Sequence, residues 1–442
     1  VPWNPATCGI ILVVHARQTR VLRNVGVQCQ RTNWDGMGSQ TAKIVAVIES
    51  MKCLGLMSGT SVDGVDCALV DISPVQARPR IKLLASQTIA YPPKLREQVL
   101  LASTKGTVAE LCHLNAVIGE MFAKAALLTI KRAGLLPEDI QLIGSHGQTV
   151  YHQPTPIREP GIGLIRSTLQ IGDPAIVAER TGITTVANFR TRDMAAGGEG
   201  APLAPYVHHL LFQEKRQSRL VVNLGGIGNV TYLSAHGALN DVRAFDTGPC
   251  NMLLDGLVLK GTSEKYHFDR SGRLARKGES HGPLLKTLLA HSYLAKRPPK
   301  STGREEFGDH YISKIFRQAK AKRLSLEDML ATSCEFVATT IVESCQWLKG
   351  NVDEVICGGG GVNNLALMEA LKKVFSPRPV CTMDQHGVAS DAFEALAFAV
   401  MAYETLQGNT SNVPSVTGAR HPVVQGMVVP GKKNFLSAFN RS

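Results

Sequence analysis

Apolar runs alternate with amphipathic stretches along the chain from residue 51 onward. Short apolar runs bounded by turn residues predict strands, and longer runs with apolar residues three and four positions apart predict helices. Strands are predicted over 53–57, 67–72, 81–90, 140–144, 183–187, 220–224, 229–234 and 353–357. Helices are predicted over 95–103, 107–133, 174–181, 250–259, 283–292, 309–321, 326–348, 364–374 and 390–405. This alternation indicates an α/β protein.

Two hairpin-like segments repeat one plan at distant places in the chain. Residues 52–72 and 219–235 each hold an apolar strand, a turn of Gly, Ser, Thr or Asn, and a second apolar strand. A third glycine cluster, at 355–364, lies between a predicted strand and a predicted helix. Because 442 residues exceed one ordinary core, we expect two related lobes, each offering a tight turn to a shared cleft.

The glycine turns are suited to binding phosphate. Glycine permits positive φ and close approach of a ligand, and successive backbone N–H groups form an anion-binding concavity. The P-loop and dinucleotide fingerprints are absent. In the first turn, Asp63 and Asp66 would repel phosphate unless Mg²⁺ lies between them. We therefore interpret it as a turn for phosphate and metal, with a hairpin closed by aspartate–backbone bonds as the alternative.

Four further segments are too polar and too glycine-rich to be simple connections. They are 143–154, 186–206, 244–255 and 390–404. In the third of them Asp246 is predicted at a strand end, where it could accept a proton from water or a hydroxyl. The alternative is that Asp246 caps the helix predicted at 250–259.

Candidate ligand contacts occur in the other three segments. We expect Glu394 to be buried by its helical neighbours Phe393, Leu396 and Ala397, so it must pair with an arginine or face the cleft. His146 is either a substrate contact or a core histidine with satisfied hydrogen bonds. Arg190 or Arg192 could clamp a carboxylate or a phosphate, and Arg192 is the more ordinary surface residue.

Composition narrows the class of protein. A hydrophobic fraction of 44% is typical of globular proteins, and no apolar run reaches membrane-spanning length. Ten cysteines without a CxxC pair argue against a zinc site or a disulfide framework and favour reduced, cytosolic thiols. The net charge of +12 is spread along the chain; its densest stretch, 314–323, lacks nucleic-acid motifs and is interpreted as a solvated helix face.

Residues 1–50 differ from the rest, because they are rich in arginine and poor in acidic residues. That composition is the signature of an organelle-targeting leader, and read-through of upstream sequence is the alternative. We expect a dispensable and unstructured extension over 1–50, of which residues 42–50 could lengthen the first strand. The N-terminal lobe is then expected over 51–185 and the C-terminal lobe over 186–442.

Ten motifs, in order, resemble those of the anhydro-N-acetylmuramic acid kinase family. They are GLMSGTSVDGVD, GSHGQTVYHQP, TLQIGDPAIVAERTGI, FRTRDMAAGGEGAPL, NLGGIGNVT, FDTGPCNMLLD, PPKSTGREEFG, CGGGGVNN, EALAFA and PSVTGA. The resemblance implies the two-lobed actin-like ATPase (ribonuclease H-like) fold, with mixed sheets flanked by helices and ATP and Mg²⁺ in an interlobe cleft. It also implies that water opens the internal ether of 1,6-anhydro-N-acetylmuramate while ATP phosphorylates the freed oxygen. The products would be N-acetylmuramate 6-phosphate and ADP, in peptidoglycan recycling.

Carried onto this sequence, the motifs assign roles to individual residues. Asp246 is the expected base for the attacking water, and Glu394 is expected to assist at the sugar. The expected sugar-site residues are His146, Gln148, Arg190, Asp193, Thr247 and Gly248. The expected nucleotide-site residues are Gly59, Thr60, Ser61, Val62, Asp63, Gly64, Val65, Asp66, Asn223, Gly225, Gly226, Gly228, Asn229, Gly358, Gly359 and Gly360, with Asp63 also a ligand of Mg²⁺.

Two residues depart from the family pattern. Cys250 stands where glycine is usual, and its Cβ would strain the turn if φ were positive. Asn188 replaces an acidic residue and removes one charge near the sugar loop. The resemblance implies a homodimer. The cysteine pattern, the spread of charge and the lengths of the apolar runs predict a cytoplasmic protein that binds neither nucleic acid nor membrane.

Three other functions stay open at this point. A sensor of ATP or amino sugar would use the same fold without turnover. A hexose kinase would phosphorylate a free hydroxyl with the same loops and base. A glycoside hydrolase would need an acid/base pair of carboxylates and would leave the glycine turns unexplained.

Overall fold

The computed structural model describes residues 10–13, 43–46, 50–59, 61–74 and 78–432. The first sheet has the strand order Met427–Val429, Thr185–Ala187, Leu142–Glu159, Met51–Ser58, Gly64–Ser73, Arg80–Ala90, and Gly163–Ile171 pairs with Leu142–Glu159. The second sheet has the order Arg243–Pro249, Ile227–Leu233, Arg219–Leu224, Glu354–Gly358, Val380–Thr382. Strands Ile10–Val13 and Lys43–Ala46 form a separate antiparallel pair.

Both large sheets are built on one plan. In each, three consecutive strands pair antiparallel, and a fourth strand lies parallel beside the first of the three. The two glycine hairpins that repeat in the sequence begin these units. The repeat in the sequence therefore corresponds to a repeat of the sheet, and the predicted α/β fold with two lobes and mixed sheets is confirmed.

Helices cover the sheets because the strands are apolar on both faces. The α-helices are Pro93–Lys105, Val108–Arg132, Pro174–Thr181, Phe189–Ala195, Ala204–Phe212, Asn251–Gly261, Gly282–Leu289, Arg304–Phe307, Asp309–Ala321, Leu326–Ser344, Leu365–Phe375, Phe393–Leu406 and Pro414–Thr417. Every predicted strand and helix has an observed counterpart. The prediction that 42–50 lengthens the first strand is wrong, because that strand begins at Met51 and Lys43–Ala46 pairs elsewhere.

One helix in the described part of the chain, Val108–Arg132, is long and apolar enough to cross a membrane by length and composition alone. Thr107 and Glu110 form a capping box at its start. Its apolar face, including Ile118 and Phe122, is buried in the core of the first lobe. The apolar composition of this helix is therefore explained by its packing in the core.

Helix Phe393–Leu406 packs directly on the first sheet, although it is far from those strands in sequence. Gly55 and Gly144 make this possible: an added Cβ would lie 1.7 Å from the carbonyl oxygen of Ala395 and 2.0 Å from that of Phe398, respectively. The backbone of the helix therefore rests on two glycines, and its first turn carries Glu394. The first sheet contains strands from both sides of the expected lobe boundary at 185/186. The position of that boundary stays a prediction.

Candidate active site

Asp246 lies within strand Arg243–Pro249, opposite Asn229 of the neighbouring strand. Its Oδ2 accepts a hydrogen bond from the backbone N–H of Thr302 at 2.9 Å. Its own N–H donates to the carbonyl of Lys300 at 3.2 Å, so the 300–302 loop holds the residue at two points. The following helix begins at Asn251 with Cys250 as its N-cap residue, so Asp246 does not cap it.

The environment of Asp246 suits a general base. Burial raises the pKa of its carboxyl to about 6, with a further rise from Glu305 and opposing effects of the Thr302 N–H and Lys300. Oδ1 accepts no hydrogen bond from the described residues, whereas Oδ2 is held by Thr302. The carboxylate thus has one fixed oxygen and one available oxygen, with a pKa close to neutrality.

Activity is expected to fall as pH decreases through about 6, because the proposed base must be ionised and its raised pKa lies there. The measurement is kcat/KM against pH between 5 and 8, with saturating ATP. Protein treated at each pH and assayed again at neutral pH controls for unfolding. A profile that is flat down to pH 5 would contradict the assignment of Asp246 as the base.

A cavity of about 630 Å³ lies in front of Asp246 and is lined by both lobes. One wall comes from the first-lobe strand Leu142–Glu159, through His152 and Gln153. Glu199 and Pro202 of the following glycine-rich loop extend that wall. Asn229, Phe245, Lys300 and Glu305 line the opposite side. Its size is that of a small-molecule site.

Arg190 and His146 form a fixed pair beside this loop. Arg190 Nε donates to His146 Nε2 at 3.0 Å, and Nη1 donates to the carbonyl of Gly200 at 2.9 Å. His146 Nδ1 lies 2.9 Å from the carbonyl of Gly147, which requires the neutral Nδ1–H tautomer. Burial, with Arg190 adding to it, lowers the pKa of His146 well below its usual value. Arg190 Nη2 has no hydrogen-bond partner among the described residues.

Asp193 shapes the same loop from beneath. Its side chain is fully buried, and Oδ2 accepts from the backbone N–H of Gly200 at 2.9 Å. Oδ1 accepts from Asn412 Nδ2 at 2.7 Å and from Thr417 Oγ1 at 2.8 Å. With both oxygens engaged, Asp193 positions the loop through protein contacts, and direct contact with a sugar would need these bonds to break.

Asp193→Asn is expected to destabilise the fold by about 2 kcal/mol, because one oxygen becomes an NH₂ that opposes a buried donor. The KM for the sugar should rise while the KM for ATP changes little, since the glycine-rich loop lines the sugar-sized cavity. Denaturant unfolding and steady-state kinetics measure the two effects. The exposed Arg192→Gln, on the same helix, is the control that should change neither. Unchanged stability would contradict this account of Asp193.

Gln148 supports the first glycine turn. Ser58 Oγ lies 2.7 Å from Gln148 Oε1, and Gln148 Nε2 donates to the carbonyl of Gly59 at 3.1 Å. Gln148 is completely buried, so in this arrangement it braces the turn. Thr60, predicted within the turn, lies outside the described residues. The turn itself is closed by the N–H of Val62, which donates to the carbonyl of Gly59 at 3.2 Å.

The other members of the first turn divide between ligand side and core. Ser61 and Asp63 are exposed, whereas the side chains of Val62 and Val65 are buried in the first-lobe core. Only the backbone of those two valines is therefore available to a ligand. Gly64 sits against the carbonyl of Ile89 on the neighbouring strand, which explains its lack of a side chain.

Four carboxylates gather near this turn without an arginine or lysine ion pair among the described residues. Burial raises the pKa of Asp66, with further rises from Asp63 and Asp391, while Thr88 Oγ1 donates to it. The prediction that neighbours bury Glu394 is wrong: its side chain is solvent-accessible. Protein atoms still surround it, so desolvation and Asp66 raise its pKa, and Arg190 lowers it. Mg²⁺ fits such a place, because it binds through one or two carboxylates, water and phosphate.

The second and third glycine turns lie side by side. The carbonyls of Gly225 and Gly226 accept hydrogen bonds from the N–H groups of Asn251 and Met252, both at 3.0 Å, at the start of the next helix. Gly359 has φ +79°, and a Cβ there would lie 2.3 Å from Asn223 Oδ1. Only glycine fits that position. The remaining predicted glycines here are Gly228, whose backbone pairs with Leu224, and Gly358 and Gly360, which flank Gly359.

Thr247 and Gly248 connect these turns to Asp246. Thr247 is buried, and its Oγ1 donates to the carbonyl of Gly228 at 3.1 Å. Gly248 has φ +138°, a conformation that favours glycine. Cys250 has φ −126° and is buried in the second-lobe core, so the strain expected from positive φ does not arise. Asn188 has φ +62°, which asparagine tolerates better than most residues.

Several residues around the cavity were not singled out from the sequence. Lys300 and Thr302 hold Asp246, and Tyr293 Oη donates to its backbone carbonyl at 3.1 Å. His152 and Glu199 face them across the cavity. Two of these residues, Lys300 and Thr302, lie in the segment 298–308. That segment resembles a family motif, but the sequence analysis assigned no role to its residues.

These features define the class of the protein: a two-lobed α/β protein with paired glycine turns and a cleft carboxylate. The chain belongs to the anhydro-N-acetylmuramic acid kinase family, whose sequence profile matches residues 51–431. The resemblance in the sequence is thereby confirmed.

Individual relatives agree with this family. The anhydro-N-acetylmuramic acid kinase of Caldanaerobacter subterraneus is 44% identical over 385 residues, covering 86% of this chain and 97% of the relative. That of Clostridioides difficile is 39% identical over 385 residues, covering 86% and 98%. That of Gloeobacter violaceus is 44% identical over 380 residues, covering 85% and 98%.

Solved structures with similar folds are more distant. The activator of the 2-hydroxyisocaproyl-CoA dehydratase from Clostridium difficile aligns with TM-score 0.42 and 12% identity, over 81% of this chain and 96% of that chain. The ROK hexokinase from Thermus thermophilus aligns with TM-score 0.33 and 17% identity, over 81% and 99%. At these scores the likeness carries no argument about the site.

Proposed function

We propose that the protein opens 1,6-anhydro-N-acetylmuramate with water and phosphorylates it from ATP, giving N-acetylmuramate 6-phosphate and ADP. Family membership supports the substrate and the reaction class. The observation that carries the proposal is Asp246: its carboxyl has one available oxygen and a pKa of about 6, and it lines a cavity of small-molecule size. Such a group is suited to removing a proton from water.

The reaction needs one base and a place for a developing anion. Asp246 would take a proton from the water whose oxygen bonds to the anomeric carbon. The bond from that carbon to the bridging oxygen then breaks, and the freed oxygen attacks the γ-phosphorus as ADP leaves. The backbone N–H groups of the 225–226 and 358–360 turns are suited to the phosphates.

Mg²⁺ would supply charge neutralisation at the phosphates, and we propose that Asp63 and Asp66 hold it. Asp63 and Asp391 add to the rise in the pKa of Asp66, and this concentration of negative charge supports the placement. The charge of Asp66 also acts on Glu394, which would assist at the sugar. Arg190 Nη2 is suited to the carboxylate of the lactyl group, because the guanidinium is already oriented by His146 and Gly200.

We also propose a cytoplasmic homodimer, with ATP and the anhydro sugar as ligands and neither nucleic acid nor membrane as a partner. The relatives named anhydro-N-acetylmuramic acid kinase support the two ligands. The sensor alternative has no observation in its favour, since the available oxygen of Asp246 and the glycine turns are all in place.

The test is turnover of 1,6-anhydro-N-acetylmuramate with ATP and Mg²⁺ in ¹⁸O-labelled water. The proposal predicts a 6-phosphate with ¹⁸O at the anomeric carbon and one ADP for each sugar. Product incubated alone in labelled water controls for exchange. Free N-acetylmuramate serves as the second substrate, because an ordinary hexose kinase would prefer its free 6-hydroxyl.

Each other outcome contradicts the proposal in a recognisable way. Faster phosphorylation of free N-acetylmuramate would indicate a hexose kinase. Ring opening without ADP would indicate a glycoside hydrolase. ATP binding without either product would indicate a sensor.

A further inference from the structure

Three side chains with metal-binding atoms meet at the edge of the second sheet. Glu354 begins strand Glu354–Gly358, Cys381 lies on the parallel strand Val380–Thr382, and His386 ends the 3₁₀ turn that follows it. In the described part of the chain this is the one group of three His, Cys, Asp or Glu residues whose ligand atoms all lie within 4.8 Å of one another. The proposed kinase reaction does not use it.

The distances within this group match those of a zinc site. His386 Nε2 lies 3.1 Å from Glu354 Oε1 and 3.4 Å from Cys381 Sγ. Cys381 Sγ lies 3.6 Å from Glu354 Oε1. With ordinary zinc bond lengths and tetrahedral angles, the three donor atoms would be about 3.4 to 3.6 Å apart. Only small adjustments would therefore place an ion at bonding distance from all three.

The surroundings hold the donors in this arrangement. Glu354 Oε2 forms an ion pair with Arg219 Nε at 2.7 Å, which leaves Oε1 turned toward the cysteine and the histidine. The rings of His386 and Phe212 pack nearly perpendicular to each other, with 6.0 Å between ring centroids. In metal sites, contacts of this kind fix the orientation of the side chains that coordinate the ion. The side chain of His386 is 22% exposed, so an ion can enter from solvent.

We propose that Glu354, Cys381 and His386 bind Zn²⁺, with water as a fourth ligand. A thiolate and an imidazole favour zinc over Mg²⁺ or Ca²⁺, which take oxygen ligands. The negative charges of the thiolate and the carboxylate together balance the charge of the ion. Arg219 can remain paired with Glu354 Oε2, because the ion would bind the other oxygen. The absence of a CxxC pair does not exclude this site, because sheet register assembles its ligands.

The site is separate from the proposed nucleotide turn. Glu354 and Gly358 are the two ends of one strand, roughly 13 Å apart at the usual rise for each residue. The segment between His386 and helix Phe393–Leu406 links the ion to the helix that carries Glu394. The expected role is therefore structural: the ion would fasten the edge strand and this segment to the second sheet.

The first test is Co²⁺ binding to the intact protein without nucleotide. The proposal predicts about one Co²⁺ for each chain and the near-ultraviolet absorption of a cobalt–thiolate bond, both displaced by Zn²⁺. Cys381→Ser and His386→Gln should each weaken binding at least about tenfold. Cys112→Ser is the matched control, because Cys112 is exposed and outside the group. Carboxylates of the proposed Mg²⁺ site would give no thiolate absorption.

A second measurement uses only the unaltered protein, in case a variant fails to fold. Alkylation of Cys381, followed by mass spectrometry, should slow at least about tenfold with Zn²⁺ relative to chelator, while alkylation of the exposed Cys112 should not change. Equal alkylation of Cys381 with and without Zn²⁺, or no thiolate absorption with Co²⁺, would overturn the proposal. The three side chains would then be a hydrogen-bonded cluster, in which the Cys381 thiol donates to the carbonyl of Val355.

Discussion

Asp246→Asn is expected to lower kcat by about 10²- to 10⁴-fold, the usual contribution of a positioned general base. The amide retains an oxygen that can accept the Thr302 N–H, so the 300–302 loop should keep its place. The KM for ATP should change little, because the glycine turns are held by other contacts. Steady-state kinetics with both substrates, together with ATP binding by calorimetry, measure these effects.

The control for this substitution is Asp241→Asn. Asp241 is an exposed residue that precedes the same strand, and its side chain accepts only a local backbone N–H from Ala238. It should retain full activity. If Asp246→Asn keeps more than about a tenth of the activity while ATP binding is unchanged, another group removes the proton. Glu305 and Glu199 would then be the candidates, since both line the cavity.

The parts of the fold that could be predicted from the sequence are those with local signals. Apolar runs between turn residues located eight strands of the two sheets, and the repeated glycine hairpin located the two related units. Short edge strands such as Val380–Thr382 and Met427–Val429 were not predicted, because three residues give no recognisable period. The long strand Leu142–Glu159 was predicted only at its apolar start.

The candidate site was predicted as a set of residues but not as an arrangement. The contacts of Asp193 with Asn412 and Thr417 join residues more than two hundred positions apart, and no local pattern reveals them. The same holds for Glu354 and Cys381, which sheet register brings together. The expectation that Glu394 is buried was wrong. Helix periodicity shows which face of a helix is apolar, but it cannot show that the first turn of the helix lies at a cleft.

Gly55→Ala is expected to lower the free energy of unfolding by about 3 kcal/mol and kcat/KM by about tenfold or more. The new methyl group would lie 1.7 Å from the carbonyl oxygen of Ala395 and 2.8 Å from the backbone nitrogen of Ala399. Backbone atoms cannot rotate away as a side chain can, so helix Phe393–Leu406 must move off the sheet. Glu394, on its first turn, would move with it. Urea unfolding and steady-state kinetics measure the two losses.

Gly282→Ala provides the matched control, because a Cβ there meets no atom within 4 Å and the residue is exposed at the start of its helix. Its urea midpoint should be unchanged or slightly higher, since alanine lowers the entropy of the unfolded chain. Gly144→Ala should behave like Gly55→Ala, because it meets the same helix through the carbonyl of Phe398. If both substitutions left the midpoint unchanged, the helix would not rest on the sheet backbone. If they lowered stability but left kcat/KM intact, Glu394 would have no part in the reaction, because the helix that carries it could shift without effect.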